Sequence, residues 1–480
     1  MHRGFYPFLV AISCFGVLLS LNTRAADSPS REHSRPNVIL FLVDDLGWSD
    51  LSCQGSRYYQ TPHIDALAET GLRFTNAYAA CAVCSPTRAA ILTGKYPARL
   101  LLTQWLPAGR WSPEKHKMRE GRFLRSLPLE EFTLAESLRE SGYTTWHIGK
   151  WHLGGAPFSL PQHHGFDINI GGDDHGAPGS YFYPFRGKWK LPTTEDSISK
   201  QAYTGGQDGD FLTDCLTEEA VRLLSRQDRN QPFFLYFPYY AVHTPLQGKK
   251  ELIAKYEALP KLERQGKPAY AAMIESVDQS VGRIMETLEE LELIENTLIV
   301  FTSDNGGFAG ATDNAPLRAN KGAHYEGGIR VPLLIAGAGI GREGGTRIDV
   351  PVHSCDLYPT IQALTETPLH TSDGRNLAPL LTGRGEIAFE KSAPIFWHYP
   401  HYNRHPSSAP VSIIRSGKWK LIEFLESGKI ELYNLSADIG EKNNLATSQP
   451  DLAKKLLTQL HQWKIEVRAD PMTPNPEYQP

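Results

Sequence analysis

The chain has 480 residues, 41% hydrophobic and 21% charged, an ordinary globular balance that excludes a disordered or fibrous protein. Its 49 Lys and Arg against 53 Asp and Glu give a net charge of −4, without the basic surplus of a general nucleic-acid binder. Beyond the N-terminus no stretch approaches the ~18–20 consecutive apolar residues of a membrane span.

Residues 1–25 read as a signal peptide rather than as fold. Arg3 supplies the positive end, Phe8 to Leu21 the apolar run, and Thr23-Arg24-Ala25 the small residues at −3 and −1 before Ala26. Cleavage there leaves 47 basic against 53 acidic residues, a net charge of −6. Cys14 after Ala11-Ile12-Ser13 faintly resembles a lipoprotein site, but leucine is missing at −3 and the apolar run continues past it. Export to the periplasm or the medium is the expectation. Five cysteines then remain, Cys53, Cys81, Cys84, Cys215 and Cys355, and in an oxidising compartment an odd number leaves at least one thiol unpaired.

Taken in chain order, Val38 to Val43, Tyr143 to Ile148, Phe233 to Phe237, Thr297 to Thr302 and Val331 to Ile335 have the β-branched, apolar character of buried strands. Between them lie helical patterns at His63 to Thr70, Thr133 to Ser141, Thr213 to Arg226 and Tyr270 to Leu291. The last carries Ile274, Val277, Val281, Ile284, Leu288 and Leu291 on one stripe. Strands alternating with helices predict a mainly parallel α/β sheet flanked by helices on both faces, over residues 36–380. From residue 391 onward the pattern changes to short strands, Val411 to Ile414, Trp419 to Phe424 and Ile430 to Tyr433, and a helix from Pro450 to Val467. This predicts a small C-terminal α+β subdomain, an antiparallel sheet plus helix over 391–480, reached through a polar linker within Thr371 to Lys391.

The chemistry is written at the strand ends. Asp44-Asp45 follows the first strand and Asp304-Asn305-Gly306 follows another, so both clusters belong at the carboxyl rim of the sheet, where open α/β folds gather ligands. Crowded carboxylates repel, and a hard divalent cation resolves the conflict. An all-oxygen set favours Ca²⁺ or Mg²⁺ over Zn²⁺, the alternative being that the acids cap turns. Cys84-Ser85-Pro86-Thr87-Arg88 precedes a short apolar helix; Ser85 suits the N-cap and Pro86 the first turn, leaving Cys84 at a helix N-terminus with Arg88 one turn on. Cys81 and Cys84 form C-x-x-C, open to a redox pair or half a zinc site, although no second pair exists. A plain thiol nucleophile is a further reading.

The block Cys84-Ser85-Pro86-Thr87-Arg88, continued by Ala89-Ala90-Ile91-Leu92-Thr93-Gly94, resembles the signature of the type I sulfatases. In that family the cysteine of C-x-P-x-R is oxidised to formylglycine by a maturation enzyme. Asp44-Asp45, Gly149-Lys150-Trp151-His152, His243-Thr244-Pro245, Asp304-Asn305-Gly306 and Lys321-Gly322 before Tyr325-Glu326-Gly327-Gly328 agree in order and spacing. The resemblance covers residues 36 to 370 and no core position departs from it. It implies an alkaline-phosphatase-like fold and hydrolysis of sulfate monoesters. It also implies a Ca²⁺ ion held by Asp44, Asp45, Asp304 and Asn305 with the side chain of residue 84. The hydrated aldehyde would attack sulfur to give a covalent enzyme sulfate. In that scheme Asp304 accepts the proton of the attacking hydroxyl, and Arg88 and Lys150 stabilise its charge. His243, helped by Lys321, protonates the leaving oxygen, and His152 takes the proton that expels sulfate, the two histidine roles being exchangeable.

Two further stretches are candidate readers of a sulfated carbohydrate or aryl sulfate. One contains His175, within Asp173 to Tyr183. The other runs from Phe396 to His405 and contains Trp397, His398, His401 and Arg404. Aromatic faces stack on sugars while His and Arg bond hydroxyls or further sulfates; the alternative is that these aromatics pack the two domains together. Rival functions are a phosphonate monoester or phosphodiester hydrolase of the same superfamily, and a catalytically silent glycan-binding protein that keeps Cys84 as a thiol.

Overall fold

The computed structural model describes residues 35–106, 110–185, 206–384 and 393–479, together with Met1 and Gly4. The leader reading of residues 1–25 and the end of the expected linker fall outside the described residues. Eight strands form the central sheet: β1 (Asn37–Val43), β2 (Leu72–Phe74), β3 (Thr144–Ile148), β4 (Ile168–Ile170), β5 (Phe233–Pro238), β6 (Thr297–Ser303), β7 (Leu333–Gly337) and β8 (Thr346–Ile348). Their order is β8-β2-β7-β6-β1-β5-β3-β4. Only β7 runs against the rest, pairing antiparallel with β6 and β2. The chain leaves β6 at the carboxyl rim, stays there through residues 304–332, and enters β7 from that same rim. β7 also begins two residues later than the apolar run suggests. Pro332 has no N–H to give a ladder, and the Val331 N–H is already donated to the Ala77 carbonyl.

The helices used below are α1 (Pro62–Thr70), α2 (Cys84–Thr93), α3 (Leu134–Glu140), α4 (Leu212–Arg226), α5 (Pro268–Glu290), α6 (Leu357–Leu364) and α7 (Pro450–Glu466). Because side chains alternate along a strand, β1 feeds two cores. Ile39, Phe41 and Val43 pack with α4 and α5 on one face. Val38, Leu40 and Leu42 pack with α2, α3 and α6 on the other. Every residue of β1 is buried, as a strand covered on both sides must be. In α5 the stripe Ile274, Val277, Val281, Ile284 and Leu288 is buried, as its 3.6-residue spacing requires.

The C-terminal sheet has four strands rather than three: β9 (Ile395–Tyr399), β10 (Val411–Ser416), β11 (Trp419–Phe424) and β12 (Ile430–Asn434), all antiparallel in sequence order. The reading of Phe396 to Tyr399 as loop is thus corrected. Those residues pair with β10, Trp397 opposite Ile413, and their aromatics are core rather than exposed. One face of this sheet packs on Tyr78, Cys81, Ala82, Val83, Ala323 and Tyr325 of the main body. The other packs on Leu456, Leu460 and Trp463 of α7, where the Phe396 and Trp463 rings stack at 4.7 Å. Within the stretch expected as a linker, Ala378–Thr382 is a short helix whose Leu380 and Leu381 are buried. Cys53, Cys81, Cys84 and Cys355 are free thiols. Among the described residues no helix is long and apolar enough to cross a membrane.

Candidate active site

Strand register assembles the site. In the parallel pair β1–β6, Val43 lies opposite Ser303, so the next residues, Asp44 and Asp304, leave the sheet side by side. The Asp304 N–H donates to the Val43 carbonyl at 3.1 Å and the Asp44 N–H to the Ala241 carbonyl at 3.0 Å. β3 ends just before Lys150 and His152, and β5 leads to His243, on the other side of β1. Asp45 takes a left-handed backbone (φ 63°), uncommon for a residue with a Cβ but tolerated by aspartate, which turns its carboxylate back toward Asn305 and Lys321. α2 starts two residues earlier than the sequence suggests. Val83 is the N-cap and Cys84 the first helical residue, while the Ser85 hydroxyl accepts from the Leu106 N–H. Cys84 Sγ lies 3.5 Å from Asp44 Oδ1.

Three cations meet three carboxylates here, all buried. Arg88 Nε and one terminal nitrogen reach Asp304 Oδ2 at 2.9 and 2.7 Å, and its other terminal nitrogen donates to the Lys150 carbonyl at 2.9 Å. Lys150 Nζ bonds Asp44 Oδ2. Lys321 Nζ sits 2.7 and 2.8 Å from the two oxygens of Asp45. Burial, followed by the neighbouring charge of Asp304, pushes Asp44 up to about 7. Burial alone would raise Asp45 too, but Lys321 and then His243 hold it below the usual carboxylate range. The Cys84 thiol is pushed up, by burial first and by Asp44 second, so the unmodified side chain stays a thiol. That opposes a thiolate nucleophile. Cys81, also raised by burial to about 12, is no redox partner poised beside it.

Both histidines are neutral in this environment. His152 is held well below its ordinary value by burial and then Lys150, and His243 is lowered to about 3 by burial and then Lys321. His152 Nε2 donates to the Leu106 carbonyl, which leaves Nδ1 as a buried lone pair without a partner among the described residues. His243 Nδ1 donates to the Thr244 carbonyl at 2.8 Å, which leaves Nε2, 3.8 Å from Asp45 Oδ2, facing the site.

A family model described as Sulfatase matches residues 36–367, and one described as N-sulphoglucosamine sulphohydrolase, C-terminal, matches residues 319–469. The chain belongs to the sulfatase family. It is similar over 95% of its length to a sulfatase of Formosa agariphila, 31% identical with 94% of that protein covered. It is similar over 90% of its length to arylsulfatase A of Homo sapiens, 31% identical with 87% covered. The crystal structure of Ps i-CgsB in complex with k-i-k-neocarrahexaose matches it with a TM-score of 0.74 and 32% identity, over 90% of this chain and 93% of that one. The chain is accordingly a sulfuric ester hydrolase with the alkaline-phosphatase-like fold.

In this sulfatase the charged cluster floors a cavity of about 660 Å³, lined in part by Asp45, Cys84, His152, His243 and Lys321. Arg404 reaches it, as do Trp105, Arg110, Phe308, Asn403 and His405. His405 lies in the aromatic stretch already singled out in the sequence. Trp105 and Arg110 come from an irregular segment with no motif, and nothing in their spacing marks them. Three candidate substrate contacts are corrected. Trp397 is buried against Tyr78 and donates its indole N–H to the Ala79 carbonyl. His398 is bonded at one ring nitrogen to Ser412 and at the other to the Asp470 carbonyl, and His401 is buried on Thr103 Oγ1. Being on or just after β9, all three spend their polar atoms inside the protein. His175 is held by Asp173 and Asp174, next to the lining residues Gly176 and Ala177 but not itself lining the cavity.

The donor set fits a hard cation. Ligand atoms of Asp44, Asp45, Cys84 and His243 lie within 4.8 Å of one another. Asn305 gives its Nδ2–H to Asp45 Oδ1 at 2.8 Å, and its Oδ1 is buried with no partner among the described residues, an oxygen acceptor still to be satisfied beside these carboxylates.

Proposed function

We propose that the protein removes sulfate from sulfated carbohydrates, with residue 84 acting as formylglycine after oxidation of its cysteine. The reading is carried by one observation: Cys84, at the first turn of α2, is within 3.5 Å of a carboxylate cluster that three buried cations share. Asp44, Asp45, Asp304 and the orphaned Asn305 Oδ1 would hold a divalent cation, which supplies positive charge to a sulfate oxygen and to the side chain of residue 84. The hydrated aldehyde supplies the oxygen nucleophile.

The remaining roles belong to the chain's own side chains. Arg88, fixed by two bonds to Asp304, and Lys150 stand beside residue 84, where they orient its oxygen and offset its charge. Asp304, held by Arg88, is assigned the acceptance of its proton. Lys321 presents an ammonium to the sulfate side. His243 Nε2 faces the cavity and is assigned the proton given to the departing sugar oxygen. An arriving sulfate anion favours its protonation against the effect of Lys321. His152, with Nε2–H committed to Leu106, has only Nδ1 free to accept and is assigned the base that regenerates the aldehyde. The saccharide reading draws on the oligosaccharide held by Ps i-CgsB.

A leader at residues 1–25 directs export, and a maturation enzyme oxidises Cys84. That side chain is only 3% exposed once folded, so oxidation precedes folding. Mass spectrometry of the peptide spanning residues 81–99 from the native source is expected to show the aldehyde, and Cys84→Ala to abolish sulfate release from 4-nitrophenyl sulfate. An unmodified thiol in active protein, or faster cleavage of a phosphate diester than of any sulfate ester, would overturn the proposal.

A further inference from the structure

The outer part of the cavity carries two guanidinium groups that the reaction above does not use. Arg110 has its Cζ 5.0 Å from the centroid of the Trp105 ring, and Arg404 reaches the same cavity from the segment after β9. Among the described residues neither has an ion-pair partner. The contrast with the floor is sharp. There every cation faces a carboxylate, Lys150 on Asp44, Arg88 on Asp304 and Lys321 on Asp45. Among the described residues that line the cavity, Asp45 is the only acid, and Lys321 already neutralises it. The floor is therefore balanced, while the outer wall holds two positive charges with no carboxylate opposite them among the described residues.

A neutral sugar ring would leave that charge without a use. Hydroxyls are served as well by uncharged donors, and Asn403 lies beside Arg404 on the wall. A guanidinium stacked on indole keeps its edge N–H groups free and matches the paired oxygens of a sulfate or carboxylate. Resting on the sulfatase reading above, we infer that the natural substrate is a saccharide carrying a second sulfate beside the ester that is cut, and that Arg110 and Arg404 bind this second group. Trp105 contributes an apolar face to the ring between them.

The test uses the Cys84→Ala protein, so that binding is read without turnover. Calorimetry compares matched pairs: glucosamine 6-sulfate against glucosamine 2-N,6-O-disulfate, and galactose 6-sulfate against galactose 4,6-disulfate. One charge-assisted bond should give about a tenfold preference for the disulfated member of at least one pair. That preference should shrink as salt is raised, and fall toward equality in R110M, in R404M and furthest in the double variant, with unchanged melting temperatures showing that the fold is kept. Equal binding of both members in both pairs, or a preference that survives the double variant, overturns the inference. Preference in binding without sulfate release by the enzyme carrying the aldehyde would sink the reaction assigned to residue 84 and leave this subsite standing. Sulfate release with no preference would do the reverse.

Discussion

Arg88 shows how much one side chain can carry. Its guanidinium makes two contacts to Asp304 Oδ2 and one to the Lys150 carbonyl, entirely out of water. Lysine has one donor centre and cannot reproduce that fork. Arg88→Lys is expected to lower kcat/KM for an aryl sulfate by about 10²–10³-fold, the cost typical of losing an oriented donor at developing negative charge. Steady-state kinetics on protein with verified aldehyde content checks this. His147, at the end of β3, is lowered to about 3, by burial first and by Arg88 second. Its folded value lies below the unfolded 6.5, so the stability it contributes is present above pH 6.5 and is lost as pH falls toward 3. His147→Phe, which keeps the ring among Trp151, Phe166 and Tyr236, should remove that dependence. Relative to wild type it should gain about 2 kcal/mol on going from pH 7 to pH 5, read from urea unfolding at the two values.

Among the elements, the segment of residues 318–330 has the most consequence, because it carries Lys321 and is gripped from both sides. Arg318 bonds the Tyr433 hydroxyl and the Glu441 carbonyl, and Tyr325 bonds Glu431. Lys420 of β11, fully buried, joins Glu326 at 3.0 Å and Glu441 at 2.9 Å. Two carboxylates share one ammonium, and Glu441 is pushed up to about 7, by burial first. Lys420→Met leaves Glu441 buried without a cation, while Glu326 keeps Arg330 at 3.3 Å and the Tyr78 hydroxyl, and should cost about 3 kcal/mol of stability. Adding Glu441→Gln should recover part of that loss, since it removes the stranded charge. Thermal unfolding of the two variants decides it. The order of strands and helices was legible because each has a period of its own. β9 was not: its alternating aromatics read equally well as an exposed binding loop, and only pairing with β10 shows which side they face.

Across the molecule, the site exists because strands far apart in sequence end at one rim. Asp44 and Asp304 are 260 positions apart and adjacent in space, and the charge of Asp304 is, after burial, the main cause that pushes Asp44 up. A cation that binds this cluster in the folded state alone stabilises the whole fold by mass action, about 2.7 kcal/mol at a hundred times its dissociation constant. Chelator treatment is therefore expected to lower both the melting temperature and sulfate release. Ca²⁺ should restore both, and Asn305→Ala should blunt the thermal response.

The sequence by itself determined the α/β class, the C-terminal sheet and helix, and the family, because hydrophobic period and short fixed-order motifs are local properties of the chain. Tertiary structure alone decided which polar side chains face the cavity. Trp397, His398 and His401 turn inward to satisfied partners, whereas Trp105 and Arg110, unmarked by any pattern, form its wall. A side chain's orientation depends on which distant segment supplies its hydrogen bonds and covers its surface, and that information is not contained in the residues on either side of it.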